Sequence, residues 1–334
     1  MCIRDRPNAS AAGQLALNGV AISGSTVAGV RVQDDPLGTE AVTLIVGGGT
    51  TISTNPTGAS AGGAQALLNI QASTLTGNTT AVEVNGGSAT ITESFLNGNG
   101  VGVLVADGTA TVNFSNLSGN TGLAVNHLLG TVTDASANWW GSNVQATVAA
   151  KVGTSVDYTP WLDNGTDTQP GVLGFQGDFS TLNVDDNSPQ SGGTGRIQEG
   201  VNLASGSLVK VFPGIYLETI TFDDTSSKDN LTILGDALNR PVVAGGVDFQ
   251  MSSVSLSGLT LRNLYFIGNA GNNRVFRCQH TTAINNFTMD NCVIDGDSVP
   301  ARHGIAGNNF AQNFAITNSE FKDLLGRAVM DLNF

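Results

Sequence analysis

The chain has 334 residues, of which 40% are hydrophobic and only 12% are charged. So few charged residues exclude a mainly helical protein, because exposed helical faces need Lys, Glu, Arg and Gln, and an all-β protein remains. The net charge of -13 repels phosphates and anionic membranes, which argues against nucleic acid as a partner. We also find no apolar stretch long enough to span a bilayer.

Residues 1–6 (Met-Cys-Ile-Arg-Asp-Arg) match the translation of a sequencing-library adapter. We interpret them as an adapter-derived artefact and expect them to be disordered, dispensable and outside the fold. We expect the true N-terminus, with any signal peptide, to lie upstream. The other two cysteines, Cys278 and Cys292, are too few for a disulfide scaffold or a Cys-rich zinc site. We predict two buried free thiols, with a disulfide between them as the alternative.

A repeat of 21 residues organises the first array, residues 7–162. The positions that align are Ile70, Ile91 and Val112 among the apolar residues and Asn78, Asn99 and Asn120 among the polar ones. Apolar alternation predicts strands with one buried face, and the short period without a helix predicts that these strands stack as a parallel β-helix. We expect each Asn to hydrogen-bond its equivalents above and below, with the preceding glycine forming the corner.

Tryptophans mark the end of this first array. All three tryptophans of the chain fall within residues 138–141 and 157–162, where the repeats stop, and they predict a cap over the last coil. Residues 163–180 are rich in Gly, Asp, Thr and Gln and predict a linker.

A second array, residues 181–334, has longer coils. Ile197, Val201 and Ala204, after Thr194, predict a short amphipathic helix that caps the start of this stack. The coils that begin at Leu259, Phe287 and Phe314 share the pattern apolar-x-apolar-x-Asn at spacings of 28 and 27 residues. Because the last residues alternate without a cap, we expect this array to be truncated.

Residues 138–141 (Asn-Trp-Trp-Gly) and 160–162 (Pro-Trp-Leu) resemble the closing segment of secreted bacterial β-helix proteins of the pectin-lyase-like superfamily. Residues 196–201, 213–218 and 231–235 resemble the opening segment of the same superfamily. The resemblance covers nearly the whole chain and implies an all-β, right-handed parallel β-helix in two consecutive arrays, secreted or at the cell surface. The superfamily includes lyases, hydrolases, esterases, adhesins and passive repeat arrays, so the fold does not determine the function.

Candidate site residues lie in loops of the second array. Asp295 and Asp297 flank Gly296 and are followed by Arg302 and His303. Half a coil earlier lie Arg274, Arg277 and His280. Arg274, Arg277 and His280, with Asp295 and Asp297, are candidates for binding an acidic sugar. Pectate lyases of the superfamily hold calcium with carboxylates and use Arg or Lys as the base. If the site is that of a lyase, Asp295 and Asp297 hold calcium and Arg302 or His303 transfers a proton. The alternative is a turn at the two aspartates, with Arg302 paired to them locally.

Two functional hypotheses follow. The first is a non-catalytic secreted or cell-surface repeat protein without a cofactor. It would be a monomer except for association through its truncated end, and would contact a polysaccharide or cell-surface glycan in adhesion or in a matrix. The second is a polysaccharide lyase or related enzyme acting on acidic polysaccharide with calcium. We favour the first, because the two opposed carboxylates of a glycoside hydrolase are not recognisable, and the acidic doublets at 34–35, 185–186 and 223–224 are typical of turns.

Overall fold

The computed structural model describes residues 2–4, 12–34, 40–268, 273–278, 282–300, 302–307 and 313–330. These residues form an all-β protein in which parallel strands of successive coils stack as a β-solenoid, which confirms the fold class that the repeats predict. They contain two short helices, neither of which is long and apolar enough to cross a membrane. The chain divides into two compact units, Met1–Asp178 with Ser188–Ser191 (unit 1) and Phe179–Asn187 with Gly192–Phe334 (unit 2).

The described elements of unit 1 are short strands and one helix. In chain order they are β1 (Cys2–Arg4), β2 (Gly13–Asn18), β3 (Ala21–Ser23), β4 (Ala28–Gln33), β5 (Val42–Gly47), β6 (Thr51–Ser53), β7 (Thr57–Gly62), β8 (Ala66–Gln71), β9 (Thr74–Thr76), β10 (Thr80–Thr92), β11 (Val101–Asn113), β12 (Val125–His127), β13 (Thr133–Asp134), α1 (Gln145–Ala149), β14 (Val156–Asp157) and β15 (Trp161–Leu162). The first half of β10 pairs with β7 and the second half with β8, so β10 belongs to two faces of the solenoid. We call the sheet formed by β4, β7, the first halves of β10 and β11, and β12 the front sheet.

Unit 2 repeats the same construction with three main sheets. Its elements are β16 (Thr181–Val184), α2 (Arg196–Leu203), β17 (Leu208–Val211), β18 (Ile215–Tyr216), β19 (Ile220–Phe222), β20 (Thr232–Gly235), β21 (Val242–Gly245), β22 (Val247–Phe249), β23 (Leu256–Ser257), β24 (Thr260–Arg262), β25 (Tyr265–Gly268), β26 (Arg274–Cys278), β27 (Ile284–Asn285), β28 (Phe287–Asp290), β29 (Val293–Asp295), β30 (His303–Gly307), β31 (Phe314–Thr317), β32 (Glu320–Lys322) and β33 (Val329–Met330). Every strand pairing in these sheets is parallel, so equivalent residues of successive coils lie directly above one another.

The apolar column predicted from the repeat is present in unit 1. Ile91 pairs with Ile70 on one side and with Val112 on the other, and all three side chains are buried. The neighbouring residue Thr90 pairs in the same way with Thr111 and points outward. The predicted inside and outside positions of β10 are therefore confirmed.

The predicted asparagine column is also present, as a buried ladder at one corner of unit 1. The side-chain oxygen of Asn99 accepts the backbone N–H of Asn78 at 3.0 Å and its side-chain amide at 3.1 Å, and Asn120 accepts the N–H of Asn99 at 2.9 Å. The glycine before each of these residues has a positive φ, as the corner requires. Asn55 extends the ladder, although it lies 23 residues before Asn78 and follows Thr54 instead of a glycine.

A second corner ladder, which the sequence analysis missed, is built from serines. Ser94 Oγ accepts the N–H of Ser73 at 3.2 Å, and Ser115 Oγ accepts the N–H of Ser94 at 3.1 Å. Asn138 ends this ladder, because its side-chain oxygen accepts the N–H of Ser115 at 2.7 Å. The first residue of the Asn-Trp-Trp-Gly motif therefore satisfies a buried backbone donor at the end of a column.

Part of the predicted linker packs on unit 1. The side chain of Phe175 is fully buried and its ring meets the Phe95 ring edge-on, with 5.5 Å between centroids. Its backbone N–H donates to the carbonyl of Glu93 at 2.8 Å. The boundaries 7–162, 163–180 and 181–334 stay predictions, but residues up to 178 are held by unit 1.

Near the start of the chain, the structure differs from expectation at residues 2–4. The backbone of Cys2–Arg4 pairs in parallel with Arg31, Val32 and Gln33 of β4, whereas the sequence analysis placed these residues outside the fold. Their adapter origin stays a prediction.

The predicted helix is present as α2, but its N-terminus is capped differently. Neither Thr194 nor the N-cap residue Gly195 supplies a side-chain hydrogen bond. Instead, the Glu218 carboxylate accepts the backbone N–H groups of Ile197 at 3.0 Å and Gln198 at 2.9 Å. α2 packs against β16 and β17, and its role in closing the stack stays a prediction, as does that of the buried Trp140 and Trp161.

Both predicted cysteine thiols are free and buried, so the disulfide alternative is wrong. Burial raises the pKa of Cys292 to about 11 and raises that of Cys278 well above its usual range. Because the thiolate is the reactive form, both are inert core residues.

Replacing an inward residue should cost far more than replacing its outward neighbour. Ile91→Asp removes a buried side chain, a change that alone costs about 2 to 5 kcal/mol, and leaves a carboxylate between Ile70 and Val112. Thr90→Asp, at an exposed position of the same strand, should change the free energy of unfolding by less than about 0.5 kcal/mol. Denaturant unfolding of both variants tests this, and equal losses would contradict the observed orientation of β10.

Buried carboxylates should give the protein a stability maximum in mildly acidic solution. Desolvation by burial raises the pKa of Glu218 and Asp157 above their ordinary values of 4.5 and 3.8. The folded state therefore binds these protons more tightly, and the free energy of unfolding rises as the pH falls through the raised pKa values. Hydrogen bonds lower the pKa of Asp224 and Asp290, so below about pH 3.8 stability falls again.

Unfolding free energies measured between pH 7 and pH 3 would show this maximum. Glu218→Gln should reduce the increase in the free energy of unfolding between neutral pH and the maximum. Asp224→Asn should reduce only the decrease in the free energy of unfolding on the acid side of the maximum. A steady decline from neutral pH would contradict the sign of the Glu218 and Asp157 shifts.

Candidate functional site

Asp295, the central residue of the predicted patch, lies in a network on the outer surface of β25, β29 and β32. Its Oδ2 accepts a hydrogen bond from the Tyr265 hydroxyl and lies 3.1 Å from Lys322 Nζ. Burial raises the pKa of Asp295, but the bonds from Tyr265, the Asp297 N–H and Lys322 outweigh it, so the net pKa is lowered. Bonds to Tyr265 and Asp295 raise the pKa of Lys322, so Asp295 and Lys322 form a charged pair at neutral pH.

Asp297 belongs to a turn, as one of the two interpretations of this segment predicts. Its N–H donates to Asp295 Oδ1 at 2.8 Å, and the Val299 N–H donates to the Gly296 carbonyl at 3.1 Å. The φ of Asp297 is 51°, a left-handed conformation that Asp and Asn tolerate better than most residues. Its side chain is exposed.

Arg302 is fully buried, with 0% of its surface exposed. Its Nη1 donates to the Gly296 carbonyl, and its guanidinium covers the backbone of Gly268, where an added Cβ would lie 3.1 Å from Nε. Asp295 has an ionic partner in Lys322, and a local pairing of Arg302 with the aspartates stays a prediction. Arg302 supports the turn from inside.

The other predicted residues are spread over β26 and β30. His303 and Arg274 are paired across these strands, and His303 Nδ1 accepts the backbone N–H of Arg327 at 2.8 Å. Arg277 forms a two-point ion pair with the buried Asp248 of β22. His280 lies outside the described residues.

Calcium binding by Asp295 and Asp297 stays a prediction. The Asp295 carboxylate interacts with three groups, the Tyr265 hydroxyl, the Asp297 N–H and Lys322 Nζ, and Asp297 is exposed. Across the described ranges, no group of three or more His, Cys, Asp and Glu side chains is placed to hold a metal ion.

The described acidic doublets also hold turns. Asp223 Oδ1 accepts the N–H groups of Thr225 and Ser226, and Asp224 accepts three successive N–H groups that begin at Ser252. Asp186 accepts the N–H of Ile215 at 2.8 Å. These carboxylates therefore accept hydrogen bonds from backbone N–H groups.

A different site lies on the front sheet of unit 1. It is a depression of about 110 Å³, which we call the front slot. Its floor is β7, whose sequence Thr-Gly-Ala-Ser-Ala-Gly has only small side chains. The strands on both sides carry longer ones: Arg31 on β4, and Glu83 and Asn85 on β10. The slot therefore exists because one coil with small residues is stacked between two coils with large ones.

The register places the two charged walls opposite each other. Ser60 pairs with Arg31 on one side and with Glu83 on the other, so the two charged residues lie two strand spacings apart, about 9.5 Å at the backbone. Arg31 donates to the Gln33 side-chain oxygen, and Glu83 accepts from the Thr57 hydroxyl at 3.3 Å. Among the described side chains, neither Arg31 nor Glu83 makes an ion pair, so both charges are available to a ligand.

The front slot was not predicted from the sequence because its residues do not share one spacing. Arg31 and Ser60 are 29 residues apart, whereas Ser60 and Glu83 are 23 apart. The run of six small residues in β7 was the available signal. It identifies a groove only once the strands that pair with β7 are known. Comparison of the chain with family models and with curated proteins finds no match.

Arg302 should matter for stability and Asp297 should not. Arg302→Ala removes a fully buried side chain and one of the two donors to the Gly296 carbonyl, so we expect a loss of about 2 to 5 kcal/mol in the free energy of unfolding. Asp297→Asn keeps a residue suited to the left-handed conformation and should stay within about 0.5 kcal/mol. Thermal or denaturant unfolding measures both, and a fully stable Arg302→Ala protein would contradict the bracing role.

Proposed function

We propose that this chain is a non-catalytic, secreted or cell-surface β-helix repeat protein of the pectin-lyase-like superfamily, and that it binds glycan through the front slot. The single observation that carries the proposal is the slot itself, in which the Arg31 guanidinium and the Glu83 carboxylate face each other over a floor of small residues and form no ion pair within the described part of the chain. The superfamily and the location rest on the resemblance of the Trp-rich and opening segments.

Sugar hydroxyls suit this surface because each can donate and accept. The Arg31 guanidinium offers donors only and the Glu83 carboxylate offers acceptors only, while the Ser60 and Thr57 hydroxyls and the Asn85 amide offer both. The front sheet's own backbone groups are used in strand pairing, so recognition falls to these side chains. A hydroxyl-rich chain satisfies all of them at once.

The contacts in unit 2 favour this proposal over the lyase alternative. Arg302 is buried beneath the turn, and Asp295 is engaged by Tyr265 and Lys322. A residue that takes a proton from a bound polysaccharide must reach within hydrogen-bond distance of it. These side chains instead have partners that maintain the coil.

Filling the slot should abolish glycan binding without unfolding the protein. Ser60→Tyr places a large side chain on the outward face of β7, where an aromatic residue fits a strand. We expect retardation in gels containing dissolved polysaccharides to be lost. The matched control is Ser88→Tyr, an outward serine of β10 on the neighbouring face, which should keep parental retardation.

Polysaccharides for this assay are dextran, mannan, galactan, polygalacturonate and alginate. If no polymer retards the parent, or if Ser60→Tyr and Ser88→Tyr behave alike with unchanged melting temperatures, the slot is not a glycan site.

A separate assay addresses catalysis. We expect no rise in absorbance near 235 nm, roughly where unsaturated uronates absorb, when the protein is incubated with polygalacturonate or alginate, with or without calcium. A calcium-dependent rise that is lost in His303→Ala would overturn the non-catalytic proposal. Arg302→Ala serves poorly here because it removes a buried residue.

A further inference from the structure

We infer that the front slot selects neutral polysaccharides over acidic ones and holds them by the edge of a single hexose ring. This inference rests on the proposed glycan-binding function and specifies the ligand class of the same site. It follows from the charge, the size and the chemistry of the residues that line the slot.

The charges of the slot disfavour a polyanion. Arg31 and Glu83 balance each other across β7, and Asp107, which is exposed on the next coil beside Asn85, adds a negative charge. The whole chain carries a net charge of -13. A polyuronate would gain one contact with Arg31 while its other carboxylates face Glu83 and Asp107. A neutral chain meets no such repulsion.

The size of the slot limits how much of a glycan it takes. A volume of about 110 Å³ is below the roughly 300 Å³ at which small-molecule pockets begin. It is closer to the ~150 Å³ cavity that accommodates one benzene ring. The slot therefore fits one ring edge, and the rest of the chain lies outside it.

Hydrogen bonds, and not stacking, hold the ring. None of the residues that line the slot is aromatic. A pair of adjacent ring hydroxyls can donate to the Glu83 carboxylate while other ring oxygens accept from Arg31 and from Asn85. Gln33 lies over Gly62, where an added Cβ would be 2.5 Å from Oε1, and so limits one end of the slot.

Each of the two charged walls of the slot should contribute measurably to binding of the neutral polymer. Hydrogen bonds to charged groups contribute about 1.5 to 3 kcal/mol, so Glu83→Gln and Arg31→Gln should each weaken binding of the neutral polymer roughly tenfold or more. Asp107→Asn is the control for the loss of charge. Like Glu83→Gln it removes one negative charge, but Asp107 is an exposed residue of the next coil and does not line the slot. It should leave binding of the neutral polymer unchanged.

The experiment compares dextran, mannan and galactan with polygalacturonate and alginate by affinity electrophoresis and by titration at low and high salt. We expect retardation by at least one neutral polymer, insensitive to salt, lost in Ser60→Tyr, and weakened in Glu83→Gln and Arg31→Gln at unchanged melting temperature. Salt insensitivity follows because a neutral ligand gives no long-range charge attraction to screen.

Two failures are distinguishable. If polygalacturonate or alginate is bound in preference, with binding that weakens in salt and disappears in Ser60→Tyr, the slot is a glycan site but the neutral class is wrong. If no polymer is bound, or if binding survives Ser60→Tyr, the proposed function fails and this inference fails with it. Neutral binding that is unaffected by both wall variants also overturns the inference, because the walls would then not hold the ring.

Discussion

The fold depends on the contact between equivalent residues of successive coils. Strands of successive coils pair in parallel, so a coil is stable only if its residues meet matching residues about 4.8 Å above and below. The apolar columns meet this condition in the core. At the corners the backbone leaves the sheet, and its N–H groups must find acceptors inside the protein. The asparagine ladder through Asn78 and Asn99 and the serine ladder through Ser94 and Ser115 supply them.

The same register decides what the outer surface can bind. Outward side chains stand in columns, so a groove forms wherever one coil has smaller residues than the coils beside it. The front slot arises in this way, because Ser60 of β7 lies between Arg31 and Glu83. Its walls belong to different coils, and neither wall would form a site alone.

Polar residues that are conspicuous in the sequence often support the coil in this protein. Arg302 holds the Gly296 carbonyl from within, and Glu218 caps α2 from a neighbouring coil. Asp224 satisfies three successive backbone N–H groups. A solenoid turns several times per coil, and the backbone groups at each turn need hydrogen-bond partners. Charged side chains in the loops supply these partners, so a charged loop residue is not by itself evidence of a catalytic site.

The sequence by itself determined the all-β parallel solenoid, the inward position of Ile91, the column through Asn78 and Asn99, and the helix α2. These features depend on periodicity and composition, which are local or repeat at a constant spacing. The tertiary structure alone decided that Glu218 caps α2, that Asp295 pairs with Lys322, and that Arg31 and Glu83 face each other across Ser60. The physical reason is that loops of unequal length separate these residues along the chain, so their contacts depend on how the coils stack, which the spacing of residues in the sequence does not contain.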